Sequence, residues 1–148
     1  MTARGIRLLA TAHNADDNLE TMLMRLTRGC GAKGMCGIPP VRELGGGRTV
    51  VRPILGVTKA EIHSYCRERG IRFVYDSTND DVDYSRNRLR AHVLPELRRI
   101  NPAADAAAAR LAANLRADCA YLDALAGKFI EENLNDGSLP AAKLAEEA

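Results

Sequence analysis

Tryptophan is absent and aromatic residues make up only 4% of the 148 positions, so no several-ring platform for stacking successive bases is available. No apolar run approaches the roughly 20 residues that a membrane-spanning helix requires. The apolar stretch over residues 8–12, behind Arg4 and Arg7, is too short for a secretory signal and runs straight into His13 and Asp16. It reads as a strand, and the chain is expected to be cytoplasmic. The four cysteines, Cys30, Cys36, Cys66 and Cys119, form no C-x-x-C pair and have no histidine at finger spacing. Zinc and iron–sulfur chemistry are therefore unsupported, and reduced structural thiols are expected. With 46% hydrophobic and 27% charged residues, the composition is that of a globular chain long enough to bury a core.

Charge is unevenly distributed along the chain. Residues 1–100 hold 17 of the 21 Lys and Arg and 11 of the 19 Asp and Glu, a formal +6, whereas residues 101–148 hold the other 4 and 8, a formal −4. A basic front and an acidic tail are compatible with a polyanion partner for the front portion, and equally with chance asymmetry.

Residues 5–12 predict a buried strand. Leu19, Met22, Leu23 and Leu26 then recur at helical spacing. Asp17 followed by Glu20 fits a capping box, with Asp16 and Asn14 as competing caps, and the helix should end by Gly29. Residues 28–48 contain seven of the twelve glycines and two prolines, which predicts one long loop. Residues 49–55 predict a strand that lies at an edge or ends at Pro53. Thr58 to Glu61 is a capping box opening a helix that turns Ile62, Tyr65 and Cys66 inward, with Gly70 just past its end. Residues 71–75 predict a third strand and 76–83 a polar acidic loop. A helix follows with Leu89, Val93 and Leu97 aligned, which Pro95 must kink or restart. Asn101 and Pro102 open a long Ala-rich helix with the stripe Leu111, Leu115, Cys119, Leu122 and Phe129, ended by Asn135-Asp136-Gly137. Strands alternating with helices, then helices alone, predict an α/β fold with a helical appendage.

Three constellations carry potential chemistry. His13, Asp16 and Asp17 stand where a strand ends and a helix begins, the ligand-binding end of an open α/β sheet. A carboxylate there suits a metal-bound phosphate or a substrate amine, and Asp17 serves equally well as a plain helix cap. Residues 29–34 match G-x-G-x-x-G by letter, but a helix precedes them and no acid follows at the required distance, so they are no dinucleotide fingerprint. Arg28 and Lys33 in that loop could still meet phosphates. Arg86, Arg88 and Arg90 form the densest basic cluster. Their guanidinium forks suit phosphate oxygens, and Asp80, Asp81 and Asp83 offer the alternative of neutralisation within the chain.

The string from Ala12 to Thr21 (AHNADDNLET) resembles the A-H-H-x-D-D-x-x-E-T signature of the tRNA-modifying N-type ATP pyrophosphatases. Three further segments resemble the tRNA(Ile)-lysidine synthetases within that group. They are Arg28 to Gly31 with Gly37 to Pro40; Arg52 to Leu55; and Asp76 to Asn79 with Arg86 to Arg90 and Leu94-Pro95. The match runs in order from about residue 8 to residue 102. It implies an adenine-nucleotide alpha hydrolase-like (Rossmann-like) parallel sheet with flanking helices, followed by a helical linker. It also implies ATP and Mg2+ as cofactors and tRNA(Ile) and lysine as partners. In that chemistry ATP adenylates C2 of the wobble cytidine, releasing pyrophosphate, and the lysine amine displaces AMP. By the same resemblance, His13 and Asp17 lie in the catalytic pocket, and Arg28, Arg86, Arg88 and Arg90 meet tRNA or ATP phosphates.

Two departures stand out. Asn14 replaces a histidine of the signature, and the S-G-G-x-D-S phosphate loop is missing, the serines being Ser64, Ser77, Ser85 and Ser138. Residues 1–100 are therefore expected to be the C-terminal half of a catalytic domain, 101–135 a linker helix, and 136–148 the start of an incomplete further domain. Such a piece is expected to be inactive alone, to expose a sheet edge, and to need a missing N-terminal half or to self-associate. Two alternatives remain. One is a non-catalytic tRNA-binding remnant. The other is a tRNA cytidine-thiolating relative, a group that carries cysteine pairs not found here.

Overall fold

The computed structural model describes residues 5–74, 85–134 and 137–140. The predicted acidic loop 76–83, Tyr75, Tyr84, Asn135, Asp136 and most of the expected start of a further domain lie outside the described residues.

The first strand, β1 (Leu8–Ala10), is followed by helix α1 (Ala15–Leu26). Of the three candidate caps, Asn14 is the one used. Its side chain accepts the Asp17 N–H at 3.0 Å, and Asp17 Oδ2 accepts the Asn14 N–H at 3.0 Å, so two orphan amides are satisfied reciprocally. The Gly-rich stretch is not one loop. It folds a short helix α2 (Ala32–Met35) and a strand β2 (Val41–Glu43), which turns back into β3 (Thr49–Val51). Gly45, Gly46 and Gly47 make that turn with φ of +77°, +59° and +64°, a run of left-handed residues closed by the bond from Leu44 N–H to Arg48 O. Glycine content thus marks a hairpin rather than an absence of structure.

The sheet order is β1-β3-β2, parallel at β1–β3 with Leu8 opposite Thr49, and antiparallel at β2–β3 with Val41 opposite Val51. The α/β class holds, but the sheet is mixed rather than parallel, because the short β2–β3 connection can only make an antiparallel neighbour. Strand β1 is an edge strand, and Ile6, Leu8 and Leu9 are exposed.

Helix α3 (Lys59–Glu68) opens on the predicted Thr58–Glu61 box, with Glu61 N–H on Thr58 Oγ1 and Thr58 N–H on Glu61 Oε2. Gly70 follows its end in the left-handed conformation. Tyr65 is exposed rather than turned inward, and residues 71–74 form no strand, although Phe73 stacks on His63 with ring centres 4.7 Å apart.

Helix α4 (Ser85–Arg88) widens into a π-helical turn over Leu89–Val93 and continues as α5 (Leu94–Ile100). Pro95 explains the widening: it has no N–H to donate, and its ring crowds the preceding turn. Leu94 N–H reaches back five residues to Leu89 O.

The last helix, α6 (Ala104–Asn133), begins two residues after Pro102, with Asn101 Oδ1 accepting the Ala103 N–H. Its predicted stripe is split: Leu115, Cys119 and Phe129 are half-buried and Leu111 and Leu122 are exposed, while Ala112 is the residue of α6 that is fully buried. A helix this rich in alanine packs closely through the small side chain. Cys119 Sγ lies 3.9 Å from Cys36 Sγ where α6 meets the end of α2. The core gathers Ala15, Leu19, Met22, Ile38, Val50 and Leu94 around α1. No helix among the described residues is long and apolar enough to cross a membrane.

Candidate functional site

The carboxyl ends of the parallel pair β1–β3 converge on the start of α1. Thr11 N–H bonds Val51 O at 3.0 Å, and Ala15 N–H bonds Val57 O at 2.9 Å. His13 lies in this crossover, half-buried, with Nδ1 2.9 Å from Thr11 Oγ1. That contact fixes one ring nitrogen, and among the described residues Nε2 has no partner. Asp17 is half-buried as the third residue of α1.

The adjoining acids are committed to the fold. Asp16, at 8% exposure, accepts the Lys59 N–H at 2.7 Å and Arg98 Nη2 at 2.7 Å. Arg98 also forks onto Asp105, with Nε and Nη2 each 2.8 Å from a carboxylate oxygen. Burial pushes the Asp16 carboxyl up, but the Lys59 amide and Arg98 outweigh it and hold it below the ordinary range. The network ties the starts of α1, α3 and α6 to α5.

Glu20 is fully buried and takes a bidentate fork from Arg90, Nε to Oε1 at 2.7 Å and Nη2 to Oε2 at 3.0 Å. Arg86 Nε stands 3.2 Å from Glu20 Oε2, and its Nη2 donates to Thr21 Oγ1 at 3.0 Å. Arg90 Nη2 also lies 3.9 Å from Asp17 Oδ1. The Glu20 hydrogen bond raises the Arg90 pKa further above its ordinary value, so the guanidinium is permanently charged.

Sequence reasoning missed Glu20, although its signal is legible. It is the glutamate of the Ala12-to-Thr21 signature, four residues after Asp16, and an acid buried in α1 needs a cation.

The six candidate residues therefore separate into two groups. Asp17 and Arg90 approach to 3.9 Å at the start of α1, the helix that His13 precedes. Arg28 lies beyond the other end of α1, whose last residue Leu26 is about 14 Å along the helix from Asp17. Arg28 and Arg88 line one cleft of about 410 Å³ whose floor includes Met24, Leu89 and Val93, with His92 at its wall. A second cleft, of about 290 Å³, brings Arg28 to Arg86 beside Thr21 and Arg25. Arg28 and Arg88 have no carboxylate partner among the described residues.

Three acids within five positions invite a metal reading, but the donors do not fit one. Asp16 and Glu20 are held by arginines, and Asp17 Oδ2 is held by the Asn14 amide. Among the described residues no three His, Cys, Asp or Glu side chains converge as a metal cage.

Residues 1–97 match the PP-loop domain family. Over 134 residues the chain is 42% identical to the bifunctional protein TilS/HprT of Listeria monocytogenes serotype 4b, an alignment covering 90% of this chain and 20% of that protein. It is 43% identical over 134 residues to the tRNA(Ile)-lysidine synthase of Pseudomonas fluorescens, covering 90% of this chain and 29% of that protein. Against the tRNA(Ile)-lysidine synthase of Symbiobacterium thermophilum it is 50% identical over 95 residues, covering 64% and 20%. The chain spans less than a third of the length of these curated relatives. It belongs to the PP-loop family, in the branch of the tRNA(Ile)-lysidine synthases.

Proposed function

We propose that the chain supplies part of a tRNA(Ile)-lysidine synthetase, the ATP-dependent ligase that joins lysine to C2 of the wobble cytidine through an adenylated intermediate. The observation that carries this reading is the placement of the His13-to-Asp17 segment at the carboxyl ends of β1 and β3, the end of an α/β sheet where nucleotides bind. Asp17, a carboxylate without an arginine fork of its own, is suited to the ammonium of the incoming lysine. His13 offers an imidazole nitrogen beside it.

Arg28 and Arg88 keep their charge for phosphates of tRNA or ATP. Arg86 and Arg90 contribute from behind, holding α4 against α1 through Glu20, with Arg90 setting the field at Asp17. Mg2+, if it takes part, would arrive with the ATP phosphates rather than on a carboxylate cage of these residues.

Residues 1–100 serve as the C-terminal half of the catalytic domain and 101–135 as the linker helix. The S-G-G-x-D-S loop is to be supplied by the remainder of the catalytic domain. A non-catalytic RNA-binding role is the second reading, favoured by the same uncommitted arginines.

Labelled lysine incorporation into tRNA(Ile) with ATP decides between them. Residues 1–148 alone should incorporate none. Mixed or fused with an S-G-G-x-D-S-bearing half from a relative, they should incorporate lysine, and Asp17→Asn should abolish it. tRNA binding without incorporation in any of these mixtures would favour the second reading.

A further inference from the structure

The half-buried arginine forks at α1 are neutralised by carboxylates, Arg90 by Glu20 and Arg98 by Asp16 and Asp105. Arg25 and Arg116 are held differently. Arg25 Nη1 donates to the carbonyls of Gly34 at 2.8 Å and Gly37 at 3.0 Å, and Arg116 Nη1 donates to the carbonyl of Cys36. A carbonyl orients a guanidinium without cancelling its charge, and most of the five N–H groups of each fork stay available. Both side chains line a cleft of about 320 Å³ at the α2–β2 corner, together with Lys33 and Arg42. Lys33 is paired with Asp123 at 2.6 Å. Arg42, exposed on β2, has no carboxylate at ion-pair distance among the described residues. None of these three arginines belongs to the cluster at 86–90.

This corner is continuous with the site described above. Arg25 also lines the neighbouring cleft that holds Arg28 and Arg86, and Arg28 in turn lines the one that holds Arg88. Three adjoining clefts thus share residues in series and carry arginines from end to end.

We infer that Arg25, Arg42 and Arg116 form a phosphodiester subsite at the α2–β2 corner, extending the Arg28–Arg88 cleft into a track for an RNA backbone. The inference rests on the reading that the chain handles tRNA. Arg25 and Arg116 are fixed in advance by backbone carbonyls, so little side-chain freedom is lost when a phosphate arrives. Their position on α1 and α6, rather than on a loop, makes the subsite rigid. Arg42 is the adjustable member, reaching the ligand from an exposed strand.

The test is fluorescence anisotropy of labelled unfractionated tRNA titrated with residues 1–148 across a salt series. Arg42→Ala should weaken binding about three- to tenfold and flatten the log–log salt slope by about one contact's worth, 0.7 to 0.9. Arg42→Glu should weaken it further, and Arg42→Lys should restore most of the affinity. Among the described residues the Arg42 side chain makes no hydrogen bond, and its backbone pairing with Val50 is kept in each variant, so circular dichroism of all three variants should match the parent. If Arg28→Ala weakens binding while Arg42→Ala and Arg42→Glu change neither affinity nor slope, the subsite is wrong and the tRNA reading stands. If the parent chain shows no salt-dependent tRNA binding, the tRNA reading itself fails and the subsite falls with it.

Discussion

Arg90 and Glu20, seventy residues apart in the chain, form a two-pronged pair of 2.7 and 3.0 Å around a carboxylate with no solvent exposure. The pair joins the π-helical turn to the middle of α1, and through Asp17 it reaches the start of that helix.

Removing one partner of such a pair strands the other charge inside the protein. Arg90→Ala should therefore destabilise the fold by about 3 kcal/mol, with Arg86 offsetting part of the loss. Arg88→Ala, which frees no buried acid, should leave the urea midpoint unchanged. Equal midpoints for the two variants would remove the structural role assigned to Arg90.

Asp17 both caps α1 and is proposed for the reaction pocket, and the two roles separate experimentally. Asn14→Ala should cost about 1 kcal/mol of stability through the lost cap. Asp17→Asn keeps an oxygen for the Asn14 amide but loses the charge, so thermal stability should stay near that of the parent. Lysine incorporation by the reconstituted enzyme should nonetheless disappear. Retained incorporation would reduce Asp17 to a cap.

Acid should loosen the Asp16 network in a defined direction. The Asp16 carboxyl titrates below its unfolded value because the Lys59 amide and Arg98 outweigh burial. A carboxyl shifted down on folding contributes stability above its unfolded pKa, about 3.9, and loses that contribution as pH falls through the folded value. Asp16→Asn should therefore be less stable than the parent at pH 7, with the gap narrowing below about pH 4. Chemical denaturation at pH 7, 5 and 3 reads this out, and a gap independent of pH would place the effect elsewhere.

Gly37 has φ of +65°, and a Cβ placed on it would stand 2.3 Å from Asn18 Oδ1. That oxygen accepts the buried Ile38 N–H at 2.7 Å, so it has little room to withdraw. Gly37→Ala should cost about 2 kcal/mol or more, the backbone strain and the lost hydrogen bond acting together. Gly31→Ala, at a negative φ with open space around it, should cost much less. Denaturation midpoints of the two variants test the contrast.

Local chemistry was readable directly from the residues. The Thr58–Glu61 capping box, the helical spacing from Leu19 to Leu26, the break at Pro95 and the long alanine helix depend on contacts within about one turn, so neighbouring side chains determine them. At α1 the box is Asn14–Asp17 rather than the Asp17–Glu20 pair the spacing suggests. The motif from Ala12 to Thr21 is similarly compact. Long-range contacts decided the rest. The Gly-rich stretch became a hairpin because β3 was there to pair with β2. Residues 71–74 form no strand despite their β-favouring pattern, because pairing with a partner strand, not propensity, decides.

The same division governs the site. That His13 and Asp17 stand at a strand-to-helix junction followed from sequence order alone. Which arginines pair with buried acids did not, because those partners lie far away in the chain: Glu20 for Arg90 and Asp16 for Arg98, at separations of 70 and 82 residues. A carboxylate buried by folding must find a cation. Only the packing of α4 and α5 against α1 determines that Arg90 and Arg98 are paired, while Arg28 and Arg88 have no carboxylate partner among the described residues.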